Sequence, residues 1–575
     1  MESRPPPAKK FKTSQPVCGQ RRNNALLQEM EIEQQRRELP IYRARGKLLG
    51  QLRQLDTAVI IGETGSGKTT QIPQYLYEAS IGRQGIIGIT QPRRVAAISL
   101  AARVSEEKKT ELGTLIGYTV RFEDLTSDKS KIKFLTDGML LREAIGDPLL
   151  RRYSVVILDE AHERTVHTDV LFGIVKAAQK KRKELSKMPL KVLVMSATMD
   201  VDLFSQYFDR APVLYLEGRQ HSIQVFYTKE SQSDYLHASL VSIFQIHQEA
   251  PPSHSILVFL TGQEEIEAMS RTCREIAKHL PQGCAQMSVF PLYASLPHLQ
   301  QLRVFQLGQK GCRKVILSTN IAETSITIPG IKYVVDTGMV KAKRYTPESG
   351  LEVLAVQKVS KAQAWQRAGR AGRQQAGICY RLYTEEEFEK FLNMTVPEIQ
   401  RCNLASVMLQ LLALRIPNIL TFDFMSKPSP DAVRAAIEQL ELLGAIECKD
   451  SQIILTQLGK KMAAFPLEPR FSKFGVRLES SRSNTSNIRQ CLAHALFLNA
   501  AELQLDGTYA TLDTRQPVAI HPSSVLFNCK PSYILYNELL HTSKCYIRDL
   551  CVVDPEWLYE AAPEYFGRKL KGVNS

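Results

Sequence analysis

AVIIGETGSGKTTQIPQYLYEA, Ala58–Ala79, carries three readings in one stretch. AVII has the composition of a buried strand, and TTQIPQYLYEA resumes with helical character. Between them GETGSGKT, Gly62–Thr69, satisfies G-x-x-x-x-G-K-[ST]. Strand, glycine turn and helix in that order make a phosphate cradle. The glycines let backbone N–H groups turn onto phosphate oxygens, and the helix N-terminus adds its dipole. Lys68 supplies a point charge for the β and γ phosphates and Thr69 a hydroxyl for Mg2+.

Outward from this stretch, β-rich runs alternate with helical ones: GIIGIT, IKFLT, SVVILDE and KVLVMSAT, then SILVFLTG, KVILSTN, KYVVDTG and CYRLY. That alternation predicts parallel sheets, and two series separated by Glu230–Pro252 predict two similar α/β domains. Beyond Thr395 helical periodicity dominates, as in VMLQLLALRI and AVRAAIEQLELL, and short β-rich pieces return between Tyr509 and Trp557. No short-period repeat is present.

Lysine and arginine outnumber acids by 74 to 59, a net +15 that favours a polyanionic partner. The 11 cysteines form no C-x-x-C pair, which predicts reduced thiols. No apolar run approaches the roughly 20 residues that span a bilayer, and the N-terminus lacks the apolar core of a signal peptide, so the expectation is a protein without a membrane partner. Residues 1–24 hold six basic residues, one acid and four prolines, which predicts a disordered arm. Within it, PPPAKKFK reads either as a nuclear import signal or as a solvated tail.

VVIL delivers DEAH, Asp159–His162, to a strand end. Asp159 can hold Mg2+ through water while Glu160 takes a proton from an attacking water, although an acidic pair here also reads as a helix cap. His162 lacks a partner at metal-ligand spacing. In QRAGRAGR, Gln366–Arg373, the three-residue spacing of Arg367, Arg370 and Arg373 predicts one helical face, either plainly solvated or reaching another domain's phosphates.

In order, GETGSGKT, TQPRRVAA, TDG, DEAH, SAT, FLTGQEE, STNIAETSITI and QRAGRAGR resemble the DEAH-box RNA helicases of superfamily 2. The resemblance implies two tandem RecA-like parallel-sheet domains followed by a winged helix, a remnant of the family's ratchet domain and an OB-fold. The expected divisions are residues 1–40, arm and lead-in helix; 41–220 and 221–393, the RecA-like domains; 394–470, winged helix; 471–506, seam and remnant; and 507–575, OB-fold. It implies an ATP-dependent RNA helicase or translocase. Two alternatives are an ATP-regulated RNA clamp or assembly factor, and a DNA helicase.

The resemblance also implies residue roles. The catalytic set is Lys68, Asp159, Glu160, His162, Gln366, Arg370 and Arg373, with Gln366 orienting water and the last two arginines as fingers. Gly62, Glu63, Thr64, Gly65, Ser66, Gly67, Lys68 and Thr69 bind the phosphates, and Thr69 with Asp159 the metal. Ser196 and Thr198 couple the nucleotide to the domain interface. The base lies between Arg103 and Phe305, a cation and an aromatic face that read no base edge, so NTPs other than ATP are admitted. Arg93, Arg94, Thr136, Thr319 and Asn320 contact RNA backbone. Arg344–Val356, with its turn at Pro347–Gly350, resembles a strand-separating hairpin. KAAQKKRKELSK, Lys176–Lys187, reads as a solvated helix end rather than an RNA site. The family reading adds a nuclear or nucleolar location, with cytoplasm as the alternative, and an activating protein on the C-terminal domains.

One stretch departs from the family. After PLEP, Pro466–Pro469, only seventeen residues, Arg470–Ser486, precede NIRQCLAHALFLNAAEL, which resembles the last ratchet helix. Most of the ratchet is therefore expected to be absent. The apolar positions Ile488, Leu492, Ala495, Leu496 and Leu503 then need other partners.

Overall fold

The computed structural model describes residues 32–63, 65–197, 201–218, 221–281, 283–306, 311–323, 328–346, 351–373, 375–416, 421–449, 452–464, 469, 485–541, 544–563 and 565–566. The basic arm, Thr64, Thr198, the hairpin turn 347–350 and most of the polar seam lie outside these residues.

The first sheet has eight strands, in the order Glu123–Leu125, Ile116–Val120, Ile132–Thr136, Ile86–Gln91, Tyr153–Leu158, Lys191–Ser196, Thr57–Gly62 and Val213–Leu216. Every pairing is parallel except the hairpin of the first two. Both faces are covered, which explains the unbroken apolar runs. In the central strand Val156 and Leu158 face one core, Val155 and Ile157 the other.

The second sheet is wholly parallel, in the order Gln286–Leu292, Cys312–Ser318, Ser255–Phe259, Ile331–Asp336, Gly377–Arg381 and Ile223–Tyr227. Its central strand divides likewise, with Ile256 and Val258 against one core and Leu257 and Phe259 against the other.

The elements that follow the second sheet, from Ala405 to Ala464, continue the first core rather than forming a separate one. Met408 and Leu440, from the helices Ala405–Ala413 and Pro430–Leu442, share a cluster with Phe172 of the helix Val166–Glu184. Phe422 approaches that helix so closely that a Cβ at Gly173 would lie 2.5 Å from its ring. A two-stranded wing, Ile446–Lys449 with Gln452–Leu455, completes the winged helix.

The third sheet closes on itself. Tyr533–His541, Ala500–Leu503, Tyr509–Thr511, Pro517–Ile520 and Cys545–Val552 pair in turn, and the last pairs back with the first, forming a five-stranded barrel around Ile534, Tyr536 and Ile547. The hairpin Met339–Thr346 with Leu351–Lys358 joins the outside of this barrel, pairing Val353, Leu354 and Ala355 in parallel with Leu539, Leu540 and His541.

The remnant differs from the helical face that was expected. Its helix is Thr485–Leu496, a tight turn follows at Phe497–Asn499, and Leu503 belongs to a barrel strand. Ala495 and Leu496 are buried and Leu492 packs against the same core, whereas Ile488 is 51% exposed. The helix docks on the barrel beside the helix Pro555–Ala561 and the strand Tyr533–His541, which supply the partners that the missing ratchet does not.

Candidate functional site

A parallel sheet carries the C-terminal ends of its strands to one edge, so motifs scattered over the chain meet there. Lys68, Gln91, Thr136, Asp159 and Ser196 follow or end five adjacent strands of the first sheet. Gly65 and Gly67 hold φ of +93° and +89°, and a Cβ on Gly67 would lie 2.9 Å from Leu39, so the turn requires glycine. The helix Lys68–Glu78 starts directly after it. Ser66 and Lys68 are buried, and burial raises the Glu63 carboxyl above its ordinary range against the pull of Lys68.

Asp159 is wholly buried and fully engaged. The Thr69 hydroxyl and the Gln91 amide each donate to Oδ2 at 2.6 Å, and the Glu160 amide donates to Oδ1 at 2.9 Å. Burial and the neighbouring Glu160 charge raise the Asp159 pKa, while Lys68 opposes them. Two buried carboxylates beside one hydroxyl form a hard-oxygen donor set that suits a divalent cation. His162 accepts from the Ala197 amide at Nδ1, 3.3 Å, so its neutral ring carries the proton on Nε2, 3.5 Å from Glu160 Oε2. Burial lowers its pKa and keeps it neutral.

The second sheet supplies the opposing wall. The helix Lys361–Ala368 stops before Gly369, so Arg370 and Arg373 lie in the turn beyond it and not, as the spacing predicted, on one helical face with Arg367. Arg367 is instead a buried scaffold. It donates to Glu323 at 2.7 Å, to Asp336 at 2.8 Å and to the Met339 carbonyl at 3.1 Å. Burial pulls its pKa down, and the two carboxylates outweigh that and raise it above the ordinary arginine value. Arg370 donates to the Glu323 carbonyl, and burial drives its pKa well down, with Arg373 adding to the effect. Burial also pushes Arg373 down to about 10. The Glu160 charge acts on both arginines and on His162, which puts the candidate base and both candidate fingers within electrostatic reach of one another across the cleft. Gln366 sits half-buried on the same helix.

The remaining expected residues are spread more widely. Arg103 lies on the helix Arg94–Glu107, bonded to Glu107 at 2.8 Å and to Gln35 at 3.1 Å. Phe305 is half-buried against the core of the second sheet. Arg93 spans the two sheets, 3.4 Å from Glu163 and donating to the Asn320 carbonyl at 2.9 Å. Arg94 is exposed and pairs with Glu123 at 2.8 Å. Thr136 precedes the helix Asp137–Gly146 without capping it, and Thr319 caps the turn Asn320–Ala322. In the Lys-rich helix end, Arg182 is wholly buried and donates to the Tyr153 carbonyl at 2.8 Å, while Lys176 pairs with Asp423 at 3.0 Å.

Sequence reasoning passed over Gln91, Glu163, Glu323 and Asp336, which hold the named residues in place. Gln91 carried a signal, a polar residue ending an apolar strand inside TQPRRVAA. A cavity of about 520 Å3 opens behind the cleft, between His167, the hairpin residues Lys343 and Glu352, Asn403, Gln439 and the barrel residue Tyr536.

Two parallel-sheet lobes with a phosphate cradle on one and paired arginines on the other define a nucleoside-triphosphate-driven motor. Family models agree along the chain: DEAD/DEAH box helicase over residues 45–204, helicase conserved C-terminal domain over 237–375, helicase associated winged helix over 436–467 and oligonucleotide/oligosaccharide-binding fold over 488–565. The chain is 65% identical to the ATP-dependent RNA helicase DHX33 of Homo sapiens, covering 94% of this chain and 90% of that protein. It is 43% identical to DHX33 of Drosophila melanogaster, over 92% and 90% of the two chains. It is 38% identical to the pre-mRNA-splicing factor ATP-dependent RNA helicase DEAH10 of Arabidopsis thaliana, over 93% and 95%. The chain belongs to the DEAH-box RNA helicases of superfamily 2, enzymes that hydrolyse ATP to act on RNA. The human alignment runs over 637 residues, more than the 575 of this chain, so the relative carries residues with no counterpart here. Among the described residues no helix is long and apolar enough to cross a membrane.

Proposed function

We propose that ATP is hydrolysed between the two sheets by Lys68, Asp159, Glu160, His162, Gln366, Arg370 and Arg373, and that the resulting opening and closing moves RNA through the cavity behind them. The observation that supports this most directly is the mutual approach of Glu160, Arg370 and Arg373 from opposite lobes. Glu160 accepts the proton of the attacking water, Gln366 orients that water, and His162, neutral with its Nε2 proton towards Glu160, steadies the carboxylate. Lys68 and the glycine turn hold the β and γ phosphates, and the two arginines balance charge on the transferred group.

Thr69 and Asp159 are the residues that would hold Mg2+, which supplies neutralising charge on the phosphate oxygens. Arg103 and Phe305 flank the base. Arg94, Thr136 and Thr319 face the RNA backbone, with Arg93 and Asn320 linking that face to the cleft. Replacing Glu160 with glutamine tests the centre: RNA-stimulated ATP hydrolysis should vanish while the melting curve is kept, and hydrolysis at the parent rate would remove Glu160 as base.

The family's ratchet closes one side of the RNA channel, and the winged-helix and OB-fold matches here are separated only by residues 468–487. That favours retained ATPase with weakened grip, the clamp-like reading. Matched RNA and DNA strands compared as ATPase stimulators separate the RNA reading from the DNA one, because only the 2′-OH distinguishes backbone contacts. An activating protein on the C-terminal elements and a nuclear site of action complete the proposal. Alanine at Lys9, Lys10 and Lys12 tests the latter by relocating a tagged chain.

A further inference from the structure

Lys314 lies on the strand Cys312–Ser318, wedged between its neighbours in the second sheet, and only 3% of it is exposed. Burying a lysine is costly unless its ammonium protons find acceptors. Here Nζ donates to the Val304 carbonyl at 2.5 Å and to the Gln306 carbonyl at 2.6 Å. These are the residues on either side of Phe305. The same ammonium lies 5.8 Å from the centre of the Phe290 ring, which packs with Phe305 against one core. Among the described residues no other side chain bonds to the turn Arg303–Phe305, whose own closing bond runs from the Gln306 amide to the Arg303 carbonyl at 3.3 Å.

We propose that Lys314 is a positioning residue for nucleotide binding: by tying down the carbonyls of Val304 and Gln306, the residues on either side of Phe305, it sets the ring at the angle at which a purine base stacks. The proposal rests on the reading that Phe305 is the aromatic side of the base site. It assigns affinity for the base to a residue that touches neither base nor phosphate. The Arg103 side is fixed in a parallel way, by Glu107 and Gln35, so both walls of the base site are held from behind. Burial pushes the Lys314 amine down to about 8, in keeping with an ammonium whose solvation comes only from these two carbonyls.

The test is steady-state ATPase of the full chain at saturating single-stranded RNA, with inhibition by inorganic triphosphate measured alongside. Phe305→Ala should raise KM for ATP by about 5- to 150-fold, the range for loss of one base stack. Lys314→Met should raise it by about five- to tenfold, the low end of that range, with kcat and triphosphate inhibition unchanged. Lys314→Arg, which keeps donors within reach, should restore most of the affinity, and the double variant should be no worse than Phe305→Ala alone. If Lys314→Met melts early, Lys314→Gln, whose shorter amide cannot hold both carbonyls, carries the same expectations. A fall in kcat at constant KM, or an equal weakening of triphosphate inhibition, would reduce Lys314 to a structural plug. An unchanged KM in Phe305→Ala would overturn the base site itself, and the Lys314 proposal with it. A raised KM in Phe305→Ala beside an unchanged one in Lys314→Met would overturn the positioning role alone.

Discussion

The cleft between the two parallel sheets and the join between the hairpin and the barrel both connect lobes of one chain, and they are built in opposite ways. In the cleft the connecting groups are desolvated charges: Asp159, Glu160, Arg367 and Arg370 are all buried, each beside an opposite charge or a carbonyl. At the join the described connection is three register pairs of backbone, the Val353 side chain packed on the barrel core and, beside them, the ion pair of Arg548 with Glu264 at 2.9 Å, with 27% and 36% of those two side chains exposed. Buried charges tolerate few arrangements, because any that leaves one unpaired costs several kcal/mol. Main-chain pairing at a sheet edge with solvent nearby can be exchanged for water at small net cost. The charges of the cleft are thus held in a narrow geometry, while the join is the more readily exchanged of the two contacts.

Removing the cleft's own charges should have the largest effect. Lys68→Ala should lower ATP turnover by about 10²–10³-fold or more, the scale for one lost electrostatic contact to a transition state. Its melting curve should stay near the parent's, because the phosphate cradle itself is set by the glycine turn. A variant that hydrolyses ATP at a tenth of the parent rate or better would place the phosphate contact elsewhere.

Arg367 comes next, and it separates scaffold from chemistry. Arg367→Leu leaves Glu323 and Asp336 buried without their counter-charge, and urea unfolding should register a loss of about 3–5 kcal/mol. Were it only one more solvated arginine in a row, the loss would be within about 0.5 kcal/mol.

The join responds to what is missing beside it. Inserting a family ratchet between Arg470 and Asn487 should raise strand separation per ATP hydrolysed severalfold and reduce the salt sensitivity of RNA binding, because non-ionic contacts are added to the phosphate contacts. Equal coupling with and without the insert would make the ratchet dispensable.

A smaller effect is acid-linked. Burial lowers the pKa of His162 and His167, so near and below pH 6.5 the folded chain binds fewer protons than the unfolded one. Their contribution to stability is therefore complete above pH 6.5 and lost as pH falls through that window. Asp137, which burial pushes up to about 6, works in the opposite sense and softens the loss. His167→Gln should flatten the stability decline below pH 6.5 followed by urea unfolding. An unchanged slope would mean that His167 titrates alike in both states.

What could be read in advance follows the same division. Strands buried on both faces, such as Tyr153–Leu158, are continuous apolar runs and were legible, as was the glycine turn, whose chemistry is local. Edge strands were not: Ile223–Tyr227 alternates in exposure, and Gln286–Leu292 contains Pro291. The common helical face expected for the three arginines was misplaced at the backbone, although Gly369 directly after Ala368 is a helix-stop signal. Leu503 was assigned to the remnant helix because helical and strand spacing cannot be told apart in so short an apolar piece.

The smallest expected effect concerns the one charged contact at the join. Arg548, on the barrel, reaches Glu264 on the helix Gln263–Lys278 of the second lobe, and His521 lies 3.6 Å from the same carboxylate. Partly exposed pairs of this kind contribute about 0.2–1 kcal/mol, because water solvates both ends once they part and salt screens what remains. The hairpin pairing at Val353–Ala355 persists without them, since it rests on backbone bonds and on Val353 packed against the barrel core. A double-mutant cycle on Arg548→Ala and Glu264→Ala, read by urea unfolding in low and high salt, should therefore return a coupling inside that range which shrinks as salt is added. A coupling several times larger and insensitive to salt would mean that the join is clamped by charge as the cleft is, and the contrast between the two contacts would fail.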